Sequence, residues 1–143
     1  MPDLNVQTIN KENIQLPHPT AKIHVFFFWH LSCDPCLGLM EGLDHIKSKF
    51  EYQGVKFISF TPDDINTTIE EFYPYYTFNW PMIPNASQIT KEAFAFSWGN
   101  PTIMIFDTNN KLAYIKAGAV NEPVIIQKII EDLKLEIRHC LKK

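Results

Sequence analysis

Cysteine is scarce in this chain, with three residues in 143, too few for a scaffold held together by disulfides. Stability must come from a packed core, and the length suits one domain spanning residues 1–143. Arginine occurs once, as Arg138. Neither charge dominates: 13 Lys and Arg oppose 16 Asp and Glu, for a net charge of -3. That balance gives no electrostatic reason to expect nucleic acid or an anionic membrane as partner. Long apolar runs are also missing, since 25–29 falls far short of the roughly 18 residues of a membrane span. The first twenty residues lack a basic then apolar leader, so no signal peptide is expected within the chain. Glycine-rich phosphate loops, nucleophile elbows, repeats and low-complexity tracts do not occur.

What is there alternates between strand and helix patterns. Residues 4–16 read as a β-hairpin broken at "NKEN". Residues 21–30 form an almost wholly apolar strand, of the kind covered on both faces. Leu37, Met40, Leu43 and Phe50 fall on one stripe of a helix over 35–50. A second buried strand is expected at 55–61, a helix bent by Pro74 at 64–77, an irregular stretch "FNWPMIPN", and a short helix at 87–97. A strand at 101–107 with a hairpin partner at 111–118 precedes a last helix, capped by Asn121, with Pro123 in its first turn. The order implies an α/β fold, a three-layer α/β/α sandwich around a central mixed sheet with an N-terminal β-hairpin.

The chemistry concentrates in "FFFWHLSCDPCLGLM". Cys33 and Cys36 are compatible with electron exchange, a metal site or a structural tie. Zinc needs about two further ligands, and nothing in the spacing brings His139 or Cys140 to Cys33, so no metal and no cofactor is expected. Buried structural cysteines are the blander reading. The position between a buried strand and a helix start favours redox chemistry. There the helix N-terminus stabilises a thiolate at Cys33, while Cys36, one turn in, is placed to resolve a mixed disulfide. Downstream, "GNPT" puts Pro101 directly before a buried strand. A cis Asn100–Pro101 bond would leave the Asn100 backbone free for an extended substrate, and an ordinary trans proline is the alternative.

Together "VFFFWHLSCDPC" and "NPTIMIFDTNNKLAYIKAG" resemble the thioredoxin-like superfamily, and most of all its TlpA/ResA-like branch of extracytoplasmic thiol–disulfide oxidoreductases. The similarity runs over about residues 3–138. The resemblance implies Cys33 as nucleophile, Cys36 as resolving thiol and Pro101 as a cis-proline facing them, with Phe28-Trp29 behind the motif. Asn100, Pro101, Trp29, Asp34 and Pro35 become the expected substrate-binding residues. Implied partners are disulfide-bearing protein substrates and a dithiol electron donor, for a monomer acting in the periplasm or elsewhere outside the cytoplasm; a cytoplasmic site is the alternative.

The sequence also departs from the branch pattern. Ser32 stands where a Trp is common. Leu39 occupies the place of a frequent Glu, and Phe27 the place of thioredoxin's buried Asp. Glu41 points about 200° away from Leu39 around the helix, and Asp63 or Asp64 are looser candidates, so the proton acceptor for Cys36 is unassigned. Asp34 opposes the helix dipole at Cys33, which favours a reductant over a strong oxidant. A thiol peroxidase, or a binding module with little exchange activity, are the rival functions. The former wants an Arg near its reactive thiol. Cys140 reads as a passive thiol, and His18, His24 and His45 show no partner spacing.

Overall fold

The computed structural model describes residues 1–94 and 101–142. Strands β1 (Leu4–Gln7) and β2 (Asn13–Leu16) form the expected hairpin. The main sheet has five strands, β3 (Ile23–Phe28), β4 (Val55–Phe60), β5 (Met82–Ile83), β6 (Thr102–Phe106) and β7 (Leu112–Ala117), in the order β5-β4-β3-β6-β7. β3 runs parallel to β4 and antiparallel to β6, so the sheet is mixed. Every residue of β3 is buried, as its unbroken apolar run requires of a central strand.

Alternation along β3 divides the core in two. Val25, Phe27 and Trp29 face α1 (Asp34–Phe50) and α4 (Pro123–Leu141). Phe26 and Phe28 face the other way, into a cluster with Val6, Ile14 and Leu16 of the hairpin and Phe60, Met104 and Phe106. Each phenylalanine sealed there contributes roughly 1.5–3 kcal/mol of burial. This second face is closed by the hairpin and α3 (Ser87–Phe94), the lighter of the two outer layers. α1 and α4 approach closely where Gly42 meets Ile130: a Cβ on Gly42 would lie 2.6 Å from Ile130 Cγ1.

Several expectations need correction. The helix expected at 64–77 ends at Phe72: α2 (Ile65–Thr67) continues without a break into a π-helical stretch, Thr68–Phe72, closed by the Tyr73 N–H on Thr68 O. Pro74 offers no N–H to continue the ladder, and the N–H groups of Tyr75 and Tyr76 both turn back to Phe72 O. Within the helical stretch Phe72 is buried, whereas Ile69 is 49% exposed rather than part of a buried stripe. "FNWPMIPN" contains strand β5, which pairs parallel with Ser59 and Phe60. Glu122, not Asn121, precedes the first turn of α4, and its side chain makes no capping bond. Asn121 instead leans on α1, where its Oδ1 occupies the space a Cβ on Gly38 would need. The end of the helix expected at 87–97 lies outside the described residues.

Candidate active site

β3 delivers the chain to the start of α1 through a bonded turn. The Trp29 N–H donates to Phe60 O at 3.0 Å, carrying the parallel ladder one residue past the strand. The Cys33 N–H then closes a turn on His30 O at 3.1 Å. Cys33 is the N-cap of α1, with φ -99° and ψ 95°, and its Sγ accepts from the Cys36 N–H at 3.3 Å. Pro35 fits the first turn because the N–H it lacks would have no helical partner there. Cys33 and Cys36 are joined as a disulfide with their Cα atoms 5.2 Å apart. Their exposure differs: Cys33 keeps 5% and Cys36 none.

A carboxylate fixes this turn from outside it. Asp63, three residues past β4, accepts the Leu31 N–H at 2.8 Å and the Thr61 hydroxyl at 2.9 Å on one oxygen, Oδ2. Its own carbonyl accepts from the Asn85 N–H at 2.9 Å, which joins the corner leading into α3. Asp64 has a separate task, capping α2 through the Thr67 N–H, and those bonds hold its carboxyl below the usual range.

Trp29 was expected to touch substrate, but it is 1% exposed and belongs to the core cluster that contains both cysteines. Its indole N–H donates to Met82 Sδ at 3.2 Å, and its ring lies 4.7 Å from Phe72. It supports the site from within. Asp34 is exposed, Pro35 half-buried and Pro101 buried. Phe28 pairs with Thr102, so Pro101 enters β6 at the sheet end where β3 gives way to the cysteine turn. Asn100, the Asn100–Pro101 bond and Trp98 lie outside the described residues.

Phe27 and Leu39 are 0% and 1% exposed, so the two positions where a carboxylate was sought hold packed hydrocarbon. Glu41 instead lines a cleft of about 510 Å³ with Leu37, Asp44 and Tyr76, and burial pushes the Asp44 carboxyl up. Arg138 lies over the Phe50 ring, 5.8 Å from its centre, at the C-terminal end of α1. Cys140 is buried in the last turn of α4. No group of three or more His, Cys, Asp or Glu side chains suited to a metal is found among the described residues. Likewise, no helix among them is long and apolar enough to cross a membrane.

For two polar residues named from the sequence, Asp63 and His24, sequence reasoning missed the contacts they make. Asp63 meets Leu31 across 32 positions, which no local pattern encodes. His24 is wholly buried and accepts the His18 N–H on Nε2 at 2.9 Å. Its placement in an apolar strand was the one available signal.

Comparison with known proteins agrees with this architecture. The AhpC/TSA family matches over residues 1–115. The thiol-disulfide oxidoreductase ResA of Halalkalibacterium halodurans is 20% identical over 131 residues, covering 92% of this chain and 73% of that protein. ResA of Oceanobacillus iheyensis is 22% identical over 123 residues, covering 83% of this chain and 64% of that one. Among solved structures, a candidate thiol:disulfide interchange protein DsbE from Chlorobium tepidum aligns with a TM-score of 0.79 at 18% identity, over 98% of this chain and 94% of that one. The last likeness is one of fold.

Proposed function

The chain belongs to the AhpC/TSA family, and on that premise we propose that it is a thiol–disulfide oxidoreductase of the TlpA/ResA-like kind, cycling between a Cys33/Cys36 dithiol and disulfide. The observation that carries the reading is the unequal pair at the mouth of α1: Cys33 at the N-cap with residual exposure, Cys36 sealed behind it. In the reduced form, unpaired N–H groups and the helix dipole favour the Cys33 thiolate. That thiolate attacks one sulfur of a substrate disulfide, and the other substrate sulfur leaves as a thiolate and takes a proton. Cys36 gives up its proton and attacks Cys33 Sγ. The Cys33–Cys36 bond forms, the mixed disulfide breaks, and the second substrate thiol is released. One disulfide has been reduced and one formed, with two electrons transferred.

Asn100 and Pro101 are assigned to the substrate side of this cycle, with a cis-proline pairing an extended segment, and Asp34 and Pro35 to its rim. The direction is reductive, in a monomer re-reduced by an external dithiol and acting outside the cytoplasm; the branch resemblance supports that location. A peroxidase is disfavoured because Arg138 sits at the far end of a 17-residue helix, about 25 Å from Cys33 along its axis.

Insulin reduction with dithiothreitol as donor tests the proposal. Wild type should accelerate precipitation and Cys33→Ser should not; equal rates would overturn it. Alkylation of the reduced protein at neutral pH should modify Cys33 well before Cys36, and equal slow modification would remove the nucleophile assignment.

A further inference from the structure

The geometry points to Asp63 as the positioning residue of the disulfide turn: its carboxylate holds the Leu31–Cys33 segment so that Cys33 Sγ stays against the N-terminal N–H of α1. The inference deepens the oxidoreductase reading and rests on it for its functional meaning. The turn has few other ties. Ser32 is exposed, Leu31 and His30 are half-buried, and the Cys33 N–H reaches only back to His30 within the same turn. Besides the packing of Leu31 on the core cluster, the hydrogen bond found among the described residues that ties this turn to a distant part of the chain is Leu31 N–H to Asp63 Oδ2, at 2.8 Å.

Asp63 is itself held at several points. Its Oδ2 also accepts the hydroxyl of Thr61, a side chain with no exposure, and its N–H approaches that hydroxyl oxygen at 3.3 Å. Thr61 is fixed in turn, with its N–H on Ile83 O and its carbonyl taking the Ala86 N–H. The carboxylate therefore transmits the position of the β4–β5 sheet end to the reactive turn. A charged acceptor with two donors makes the stronger class of hydrogen bond, and reacting groups displaced by about 1 Å can lose about a hundredfold in rate.

Charge and position act on Cys33 in opposite directions, which makes the role testable. The Asp63 carboxylate is bonded to the turn that carries Cys33, and a negative charge in reach of a thiolate raises the thiol's pKa, so removing charge alone would lower it or leave it unchanged. Releasing the turn removes Cys33 Sγ from the helix N–H groups and raises it. His30 and Asp34 flank Cys33 in the chain, in the turn and at the start of α1, and Asp63 reaches the same turn through the Leu31 N–H.

In Asp63→Asn the amide oxygen can keep both donors. In Asp63→Ala neither remains. The pH midpoint of Cys33 alkylation should rise by about half a unit or more in Asp63→Ala and stay at or slightly below wild type in Asp63→Asn. Insulin reduction should fall about tenfold or more in the first and stay within about threefold in the second. A midpoint that falls equally in both variants would assign Asp63 a charge effect and overturn the inference, as would no change in either. If Asp63→Ala does not fold, Thr61→Val serves: it removes one of the two donors on Oδ2 and should raise the midpoint by a smaller amount, and no shift overturns the inference. Wild type without insulin reduction, but with these alkylation shifts, would end the functional reading and leave the positioning role intact.

Discussion

The two ends of β3 each bury a nitrogen heterocycle and treat it differently. At the cysteine end, the Trp29 indole N–H finds Met82 Sδ, and that sulfur also takes the Ser59 hydroxyl at 3.2 Å. At the other end, His24 accepts the His18 N–H on Nε2, which puts the neutral ring's own proton on Nδ1. That Nδ1 has no hydrogen-bond partner among the described residues. One end is fully paired beneath a reactive turn that must keep its shape through oxidation and reduction. The other carries an orphan donor, which costs about 1–3 kcal/mol, and a ring that cannot charge cheaply. Burial, then the charges of His18, Lys56 and the N-terminal ammonium, lower the His24 pKa to about 4 from 6.5. Redox sensitivity and acid sensitivity are thus set at opposite ends of one strand.

The largest expected effects separate the ends by readout. Cys36→Ser should trap Cys33 in a mixed disulfide with substrate and reduce turnover to background, seen as a covalent adduct on a non-reducing gel. Its thermal stability should follow pH as the wild type does when both are reduced. A Cys36→Ser protein that turns over normally would remove the resolving role. The second effect belongs to His24. The folded ring binds fewer protons than the unfolded ring between about pH 6.5 and 4. Stability present above pH 6.5 is therefore lost as pH falls to about 4, on the order of 2 kcal/mol. Denaturant melts at stepped pH should show this slope in wild type and a shallower one in His24→Phe. Identical slopes would show that His24 does not set the acid limb.

β3, α1 and the paired strands β6–β7 were legible in the sequence because period and composition agree there. The cysteine motif was legible because it sits where a buried strand meets a helix start. What stayed hidden was decided by contacts between distant residues. β5 has only two residues between Pro81 and Pro84, and it is a strand because Ser59 and Phe60 pair with it. The apolar spacing of Ile65, Ile69 and Phe72 imitated a long helix, and the missing N–H of Pro74 prevented one. Trp29 was named both as part of a buried strand and as a substrate-binding residue, and strand alternation carries it inward with Phe27. Asp63 and Asp64 were indistinguishable as neighbours, and only the fold gives them different partners.

A smaller effect tests the paired end directly. Trp29→Phe removes the N–H on Met82 Sδ and part of the ring packed on Phe72. The indole's size makes this a cavity change plus a lost weak hydrogen bond, about 1–3 kcal/mol in all. Chemical denaturation should show that loss. Insulin reduction should keep most of its rate, since the Trp29 ring is 1% exposed and packs on Phe72 beneath the turn. A collapse of the rate with stability unchanged would return Trp29 to the substrate side.

The smallest effect is expected at Asp64, which makes it the control for its neighbour. Its carboxylate is exposed and bonds only forward, to the N–H groups that open α2. Its pKa is depressed in the fold, so the stability it lends is present at neutral pH and lost in acid as the group protonates. Asp64→Ala should lower Tm slightly at pH 7 and not at all at strongly acid pH. No bond runs from Asp64 to the cysteine turn, so the alkylation midpoint of Cys33 and the rate of insulin reduction should both equal wild type. Were Asp64→Ala to shift that midpoint as Asp63→Ala is expected to, general loosening of the loop after β4 would explain both. The specific link from Asp63 to Leu31 would then lose its support.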